Sequence, residues 1–261
     1  MRMLSRLQVF WMFSVFVFIL TPIASLVFFS FNSDRFPSLP WGGFSLQWYI
    51  AIFDDATVRA GFWRSLRVSA TVSLISTFIG FAAAYTDYRY NFRGKLPFLA
   101  IVALPPTVPV LILGLGMLSF FSMVSLVGTL TAVIAGHVVI CAPFAMALIR
   151  MRLADMSPDI EPAAWNLGAS RWATMRNVTV PWCLPSIYAA LAITAAVSFD
   201  EFMIAWFVSG LKETLPVRIL ALLQGQVSPR INAIGSMVFI ISISLAVMGQ
   251  IFASRRSIGE D

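Results

Sequence analysis

Charged residues are scarce in this 261-residue chain: they make up 11% of it, whereas hydrophobic residues make up 59%. An ordinary soluble domain is about one-quarter charged. The composition excludes a typical soluble globular domain and indicates a protein that lies in a lipid bilayer. A hydrocarbon core about 30 Å thick offers the backbone no hydrogen-bond partners, so each spanning segment needs ~20 apolar residues in a helix. We therefore predict an all-α, polytopic membrane protein.

The chain also has few residues that suit catalysis or metal binding. It has one histidine, His137, and two cysteines, Cys141 and Cys183. No acid, thiol or second histidine stands at metal-ligand spacing from His137, so the sequence predicts no catalytic site and no metal site. We interpret His137 as a packing or hydrogen-bonding residue between helices, and a role in a permeation path stays open. Both cysteines are interpreted as packing residues and not as a disulfide pair.

A phosphate-binding loop is missing too. The one Gly-Lys pair, Gly94-Lys95, is followed by Leu96 and lacks the upstream glycine of a P-loop. We predict no enzyme activity and no cofactor in this chain, so an ATP-driven process would need another subunit. Nucleic-acid binding is not expected either, because the 18 basic and 12 acidic residues are spread over short segments and form no basic cluster.

Six apolar stretches are long enough to cross a membrane. They run over about 8–31, 63–86, 96–121, 127–150, 183–208 and 233–253. The first resembles a signal peptide, but its apolar run exceeds the length of a signal h-region, so we interpret it as an uncleaved anchor. We expect a single transmembrane domain over residues 1–261, with one long connecting loop at 151–182.

The basic residues predict the orientation, because Lys and Arg are held on the cytoplasmic side of a membrane. Those on one side are Arg2, Arg6, Arg89, Arg93, Lys95, Arg150, Arg152, Arg171, Arg176, Arg255 and Arg256. The opposite loops hold fewer, namely Arg35, Arg59, Lys212, Arg218 and Arg230. Both termini and the loop 151–182 are therefore predicted to be cytoplasmic. Arg64 and Arg67 fit this rule poorly, and we expect them to face a partner or a polar cavity.

The loop 151–182 is predicted to form two short helices. Ser157 is a suitable N-cap for the first, with Pro158 at its first helical position. Gly168 then stands where a left-handed residue ends a helix, and Ser170 can cap a second helix that runs to about Asn177.

Large apolar side chains in this loop are unusual for a water-exposed connector. Trp165, Leu167 and Trp172 lie near Arg171 and Arg176, and aromatic residues beside arginines are typical of protein interfaces. The alternative is that these side chains lie against lipid headgroups, as interfacial tryptophans do. The residue pattern alone leaves both interpretations open.

The same loop carries a longer motif. Residues 161–170 read Glu-Pro-Ala-Ala-Trp-Asn-Leu-Gly-Ala-Ser, and Val-Thr-Val-Pro follows at 178–181. This spacing resembles the cytoplasmic loop signature of bacterial ABC importer permeases, with Pro162 at the family's acidic position and Glu161 one residue earlier. The resemblance implies a coupling helix that docks in a cleft of an ATP-hydrolysing subunit. The residues it assigns to this loop are Glu161, Ala163, Ala164, Leu167, Gly168, Arg171, Val178 and Pro181.

Other segments are similar to the shorter permease of spermidine/putrescine importers. They are Trp48-Tyr49, Leu104-Pro105-Pro106-Thr107-Val108-Pro109, Ser198-Phe199-Asp200-Glu201 and Thr214-Leu215-Pro216-Val217. The resemblance implies a type I ABC importer permease in the bacterial inner membrane, with a polyamine as the preferred solute and an opine or aminoethylphosphonate as alternatives. It also implies a second related permease, two ATPase subunits that use ATP and Mg²⁺, and an extracytoplasmic solute-binding protein.

Two sets of residues in the spans are candidates for the translocation path. Asp200 and Glu201 are adjacent acids in the fifth span, and an ionisable residue there is a functional candidate by default. They could attract a cationic solute, or they could cap a helix or pair with an arginine such as Arg64 or Arg67. Pro105, Pro106 and Pro109 are expected to break the third span, either beside the path or as a structural kink. One rival from another class is a self-sufficient channel or ion-coupled transporter, and a second is a membrane-embedded scaffold with no transport role.

Overall fold

The computed structural model describes residues 6–34, 40–225 and 230–254. Arg2, Arg35, Arg255 and Arg256, used above for the orientation, lie outside the described residues. The helices in chain order are α1 (Arg6–Ser30), α2 (Gln47–Asp54), α3 (Ala56–Arg89), α4 (Lys95–Ala103), α5 (Val110–Met123), α6 (Leu130–Ala154), α7 (Ile160–Asn166), α8 (Arg171–Thr174), α9 (Val180–Asp200), α10 (Met203–Val208), α11 (Leu215–Gly225) and α12 (Arg230–Ser254). The all-α prediction is confirmed.

Five helical runs in the described residues are long and apolar enough to cross a membrane. They are α1, α3, α6, the run Arg171–Asp200 and α12, which correspond to the first, second, fourth, fifth and sixth predicted spans. Two further helices, α2 and α11, connect these runs and had no counterpart in the sequence analysis. The count of six spans and the cytoplasmic placement of the termini stay predictions.

The predicted third span is divided by its prolines. Helix α4 ends at Ala103, a 3₁₀ turn covers Pro105–Thr107, and α5 begins after Pro109. At 1.5 Å per residue, the nine residues of α4 and the fourteen of α5 are each shorter than a bilayer core of about 30 Å. The expected break is confirmed, because proline removes donors from the helix interior.

The chain divides into two compact units. The first comprises Met1–Ala60 and Arg218–Ile240. In it, Ser30 and Tyr49 share a hydrogen bond of 2.7 Å, and α1 packs closely against α12, since a Cβ added at Gly235 would lie 3.2 Å from Leu26. Most side chains of α1 are exposed, as expected for a helix surrounded by lipid or by another membrane chain.

The second unit comprises Gly61–Val217 and Ile241–Asp261. Its core is formed largely by α6 and α9, which pack along each other. Both helices carry small buried residues, Ala142 and Ala145 on α6 and Ala189, Ala190, Ala192 and Ala196 on α9, and such residues let membrane helices approach closely. Cys141 and Cys183 are buried and unpaired, so they are packing residues as predicted.

Helix α3 joins this core at Gly80. A Cβ added there would lie 2.6 Å from both the Cβ of Ala145 and the backbone nitrogen of Met146. Such a distance is shorter than any normal contact, so only glycine permits this approach of α3 to α6.

Candidate functional site

The loop after α6 folds into a helix, a turn and a second helix. Gly168 has φ of +88°, the left-handed conformation predicted for it, and ends α7. Ser170 caps α8, because its Oγ accepts a hydrogen bond of 3.2 Å from the Ala173 nitrogen. The prediction for the start of α7 was wrong: the helix begins at Ile160, and Ser157 Oγ instead accepts from the Asp159 nitrogen in the preceding turn.

The second helix of the loop is not a separate element. Helix α8 passes into a π-helical segment, Met175–Thr179, which continues directly into α9. The prediction of a short helix that stops near Asn177 was therefore wrong. Pro181 is the second residue of α9 and directly follows the π-helical segment. The loop and the fifth span thus form one helical run from Arg171 to Asp200.

The tip of this loop exposes large apolar side chains. Leu167 is 89% exposed and Trp172 is 68% exposed, and Gly168 and Arg171 between them are also exposed. We call Leu167, Gly168, Arg171 and Trp172 the docking tip. Ala163 is exposed as well, whereas Ala164 is half-buried. An exposed apolar surface rimmed by polar residues is typical of a protein interaction site.

Glu161 points into the protein and away from this tip. Its side chain is 3% exposed, and its Oε2 lies 3.3 Å from Nε of Arg89, the last residue of α3. Its Oε1 accepts a hydrogen bond of 2.7 Å from Thr179 Oγ1. The Arg89 guanidinium also lies 4.5 Å from the ring centroid of Trp165. The acid assigned to the ATPase-coupling loop therefore makes contacts within this chain.

Val178 and Pro181 occupy the other end of the coupling motif. Val178 is half-buried and packs against an apolar cluster that includes Ala83, Ile149 and Cys183, whereas Pro181 is exposed. Of the eight residues assigned to the loop, the structure exposes Ala163, Leu167, Gly168, Arg171 and Pro181 and turns Glu161, Ala164 and Val178 partly or wholly inward.

A second ionic cluster holds the same ends of the helices together. Asp87 near the end of α3 is buried, and its carboxylate pairs with Lys95 of α4 at 3.1 Å and with Arg150 of α6. Further along α6, Arg152 Nε donates to the Trp182 carbonyl and Trp182 Nε1 donates to the Arg152 carbonyl, both at 3.1 Å. Several basic residues that indicated the orientation thus also connect helices.

The predicted path residues Asp200 and Glu201 have different surroundings. Glu201 follows α9 and its carboxylate accepts hydrogen bonds from the Ile204 nitrogen at 3.1 Å and the Ala205 nitrogen at 3.3 Å. It therefore caps the N-terminus of α10, one of the alternatives that the sequence left open. Asp200 is exposed as a residue, and among the described residues no hydrogen bond or ion pair engages its carboxylate.

Glu201 has a partner that the sequence analysis missed. His137 on α6 is fully buried, and its Nε2 lies 3.2 Å from Glu201 Oε2. The other ring nitrogen, Nδ1, lies 2.9 Å from Ser198 Oγ. Arg64, suggested as a partner for the acids, instead donates to the Glu213 carbonyl at 3.2 Å. The one available signal was that a lone polar side chain in an apolar span must find a partner.

The proline segment also lies beside α6. Pro105 is half-buried, while Pro106 and Pro109 are exposed, and the 3₁₀ turn packs against α6. Irregular backbone at membrane depth is tolerated where it is buried in protein or lines a water-filled cavity. This proline segment therefore stays a candidate for the translocation path.

Comparison with known proteins agrees with these features. Residues 76–258 match the family described as binding-protein-dependent transport system inner membrane component. The chain is 30% identical over 247 residues to the spermidine/putrescine transport system permease protein PotC of Haemophilus influenzae, covering 94% of this chain and 96% of the relative. It is 30% identical over 232 residues to the putrescine transport system permease protein PotI of Escherichia coli K12, covering 85% and 82%.

A solved structure confirms the fold. The permease fold resembles a chain of a bacterial ABC transporter involved in the import of the acidic polysaccharide alginate, with a TM-score of 0.71, 15% identity and coverage of 96% of both chains. At this identity the likeness concerns the fold alone. The chain belongs to the family of binding-protein-dependent transport system inner membrane components and is a multi-pass permease subunit of a bacterial ABC importer.

Proposed function

We propose that this permease forms part of the translocation path for a polyamine. It would work with a second related permease, two ATPase subunits and an extracytoplasmic solute-binding protein. ATP and Mg²⁺ would be used in the ATPase subunits, and this chain would supply no catalytic residue. Two relatives named for spermidine and putrescine transport support the substrate class.

The observation that carries the substrate proposal is that Asp200 is an exposed residue whose carboxylate has no partner among the described residues. Its neighbour Glu201 is already engaged by His137 and by two backbone nitrogens, so Asp200 is the acid of the pair that is free to meet a cation. At 1.5 Å per residue it lies about 25 Å along the helix from Cys183, near the predicted outer side. A carboxylate at that position attracts the ammonium groups of a polyamine.

Two aromatic residues, Phe202 and Trp206, follow Asp200 closely in the sequence. Phe202 and Trp206 are stacked with ring centroids 6.0 Å apart, and Trp206 is 46% exposed. A cation over a Trp face is stabilised by about 0.5–1 kcal/mol at an exposed site. Acid and aromatic ring together therefore favour a flexible cation over an anionic phosphonate.

The docking tip supports the proposal that ATP hydrolysis in a partner subunit drives transport. Leu167 and Trp172 expose apolar surface on a loop that continues as a helix into the fifth span. A soluble subunit that binds this tip can move the fifth span directly, because loop and span are parts of one helical run. We therefore propose that the ATPase binds at Leu167, Gly168, Arg171 and Trp172.

The test is uptake by the complete importer in vesicles. We expect labelled spermidine and putrescine to be imported and to stimulate ATP hydrolysis. Asp200→Asn should lower uptake by about ten- to a hundredfold, since a hydrogen bond to a charged group contributes about 1.5–3 kcal/mol. Asp54→Asn is the matched control, because Asp54 is also exposed but lies at the end of α2, and it should leave uptake unchanged.

Two outcomes would contradict the proposal. Stimulation of ATP hydrolysis by an opine or aminoethylphosphonate, with no response to polyamines, would change the substrate class. Transport by this chain alone, reconstituted without an ATPase, would favour a channel or ion-coupled transporter instead.

A further inference from the structure

The buried ion pair at the base of the coupling loop has no role in solute binding or in docking. Glu161 is 3% exposed at the side chain although it lies in the connection between two predicted spans. A buried carboxylate is costly unless it is paired, and here Arg89 and Thr179 satisfy it. The ion pair joins the end of α3 to the start of α7, and Thr179 adds the end of the π-helical segment just before α9.

We propose that the Arg89–Glu161 pair transmits movement of the coupling loop to α3, so that Arg89 and Glu161 are positioning residues for transport. This inference rests on the proposed ATPase partners. It assigns the loop acid a role within this chain and leaves ATPase contact to the docking tip.

The connections of the loop explain why such a link is needed. Helix α7 follows α6 through a short turn, and α8 continues into α9 without a break. Movement of the tip therefore reaches the fourth and fifth spans through the covalent chain. Helix α3 belongs to a separate part of the sequence. It contacts α6 at Gly80 and Asp87, and Arg89 joins it directly to α7 of the loop.

Arg89 is well suited to be that contact. Its guanidinium bonds Glu161 at the start of α7 and lies over Trp165 one turn later. A planar guanidinium that both pairs with a carboxylate and stacks on an aromatic ring holds a defined orientation, which a flexible ammonium does not. Movement of α7 therefore displaces Arg89 as a unit, and with it the end of α3.

The π-helical segment provides the second contact to Glu161. Thr179, its last residue, is fully buried and donates to Glu161. Such segments are uncommon and frequently lie at functional sites, because they change the register of a helix locally. The bond fixes α9 to α7 at the point where the helical register changes.

The test measures solute imported per ATP hydrolysed by the complete importer. Arg89→Met keeps an apolar stem beside Trp165 and removes the charge, while Glu161→Gln keeps an acceptor for Thr179. In each assembled variant we expect this ratio to fall at least about fivefold, the lower range of coupling between sites, while the ATPase still responds to the loaded binding protein. Arg93→Met, at an exposed arginine of the same connection, is the control and should leave the ratio unchanged.

An exchanged pair distinguishes transmission from simple packing. Arg89→Glu combined with Glu161→Arg should recover part of the ratio that each single change loses. If the neutral variants fail to assemble, Arg89→Lys serves as the test variant. Lysine keeps the charge but cannot hold the stacked orientation over Trp165, so we expect it to lower the amount of solute imported per ATP hydrolysed. A wild-type ratio in the assembled single variants, or in Arg89→Lys where those do not assemble, would overturn the inference.

The two proposals fail in different ways. If wild-type ATPase activity does not respond to the solute-loaded binding protein, the proposed function is wrong. If changes in the docking tip abolish that response while the Arg89 and Glu161 variants keep the normal ratio, the proposed function stands and the transmission role is wrong.

Discussion

His137 and Glu201 form a buried pair between two parts of the same unit, with Nε2 of the histidine 3.2 Å from Oε2 of the glutamate. The pair connects the middle of α6 to the break between α9 and α10. Because Glu201 also caps α10, His137 fixes the position of that short helix. Ser198 completes the arrangement through Nδ1 of the imidazole.

Removing His137 should therefore destabilise the permease. We expect His137→Phe to lower the free energy of unfolding by about 1–3 kcal/mol, because Glu201 and Ser198 each lose a side-chain partner while Glu201 keeps its two backbone donors. His137→Gln keeps a donor for Glu201 and should cost less. Thermal unfolding of the purified complex measures both, and equal melting temperatures for wild type and His137→Phe would contradict the prediction.

The conformation of Gly168 gives a second prediction. With φ of +88°, a residue with a branched side chain is strained by roughly 1–2 kcal/mol, whereas asparagine tolerates this region. No atom lies within 4 Å of a Cβ added there, so space is not the limit. We expect Gly168→Val to reduce solute-stimulated ATPase activity and Gly168→Asn to retain most of it.

The matched comparison of these two variants separates backbone strain from side-chain size. Both replace glycine with a side chain of moderate volume in open surroundings. Equal loss of ATPase activity in the two would show that the left-handed conformation does not matter and that bulk at the docking tip does.

Substitutions in the docking tip should weaken binding of the ATPase subunits without destabilising the permease. Leu167 and Trp172 are exposed, so Leu167→Ala and Trp172→Ala should change the stability of the permease by less than about 0.5 kcal/mol. Truncation of an aromatic or aliphatic anchor should nevertheless weaken ATPase binding by about 2 kcal/mol or more. Copurification of the ATPase subunits with the permease measures this loss.

Leu211→Ala is the control for those variants. Leu211 is 95% exposed and lies between α10 and α11, on the predicted opposite side of the membrane. We expect it to leave ATPase copurification unchanged. A comparable loss with Leu211→Ala would mean that any reduction of exposed apolar surface disturbs assembly.

We expect a packing defect when Gly80 is replaced by alanine, and the same substitution at Gly116 serves as the control. The Cβ of Gly80→Ala would lie 2.6 Å from a backbone nitrogen and from the Cβ of Ala145, so α3 and α6 must separate at a cost of about 1–3 kcal/mol. Gly116→Ala on α5 meets no atom within 4 Å and gains similar helix propensity. The first should lower the melting temperature of the complex and the second should not.

The sequence was most informative about features that depend on residues close together along the chain. The long apolar segments near 8–31, 63–86, 127–150 and 233–253 match α1, α3, α6 and α12, since lipid demands helices of that length. The break at Pro105–Pro109 and the left-handed Gly168 follow from the residues themselves. The loop motif also indicated the family that residues 76–258 confirm.

The pattern was less informative about element ends. Helix α7 begins at Ile160 and not at Pro158, and α8 continues into α9 through the π-helical segment. Both differences arise because buried contacts, such as those of Glu161 and Thr179, hold the backbone in place of the local signals. The short helices α2 and α11 lack the length that makes an apolar segment recognisable.

By itself, the sequence determined an all-α membrane chain, its long apolar helices and the coupling motif, because these depend on residues close together along the chain. Only the tertiary structure decided which acids are engaged. It brings His137 to Glu201 and Arg89 to Glu161, leaving Asp200 exposed. The physical reason is that a buried charged or polar group must find a partner, and the partner can come from any part of the chain that folding brings near.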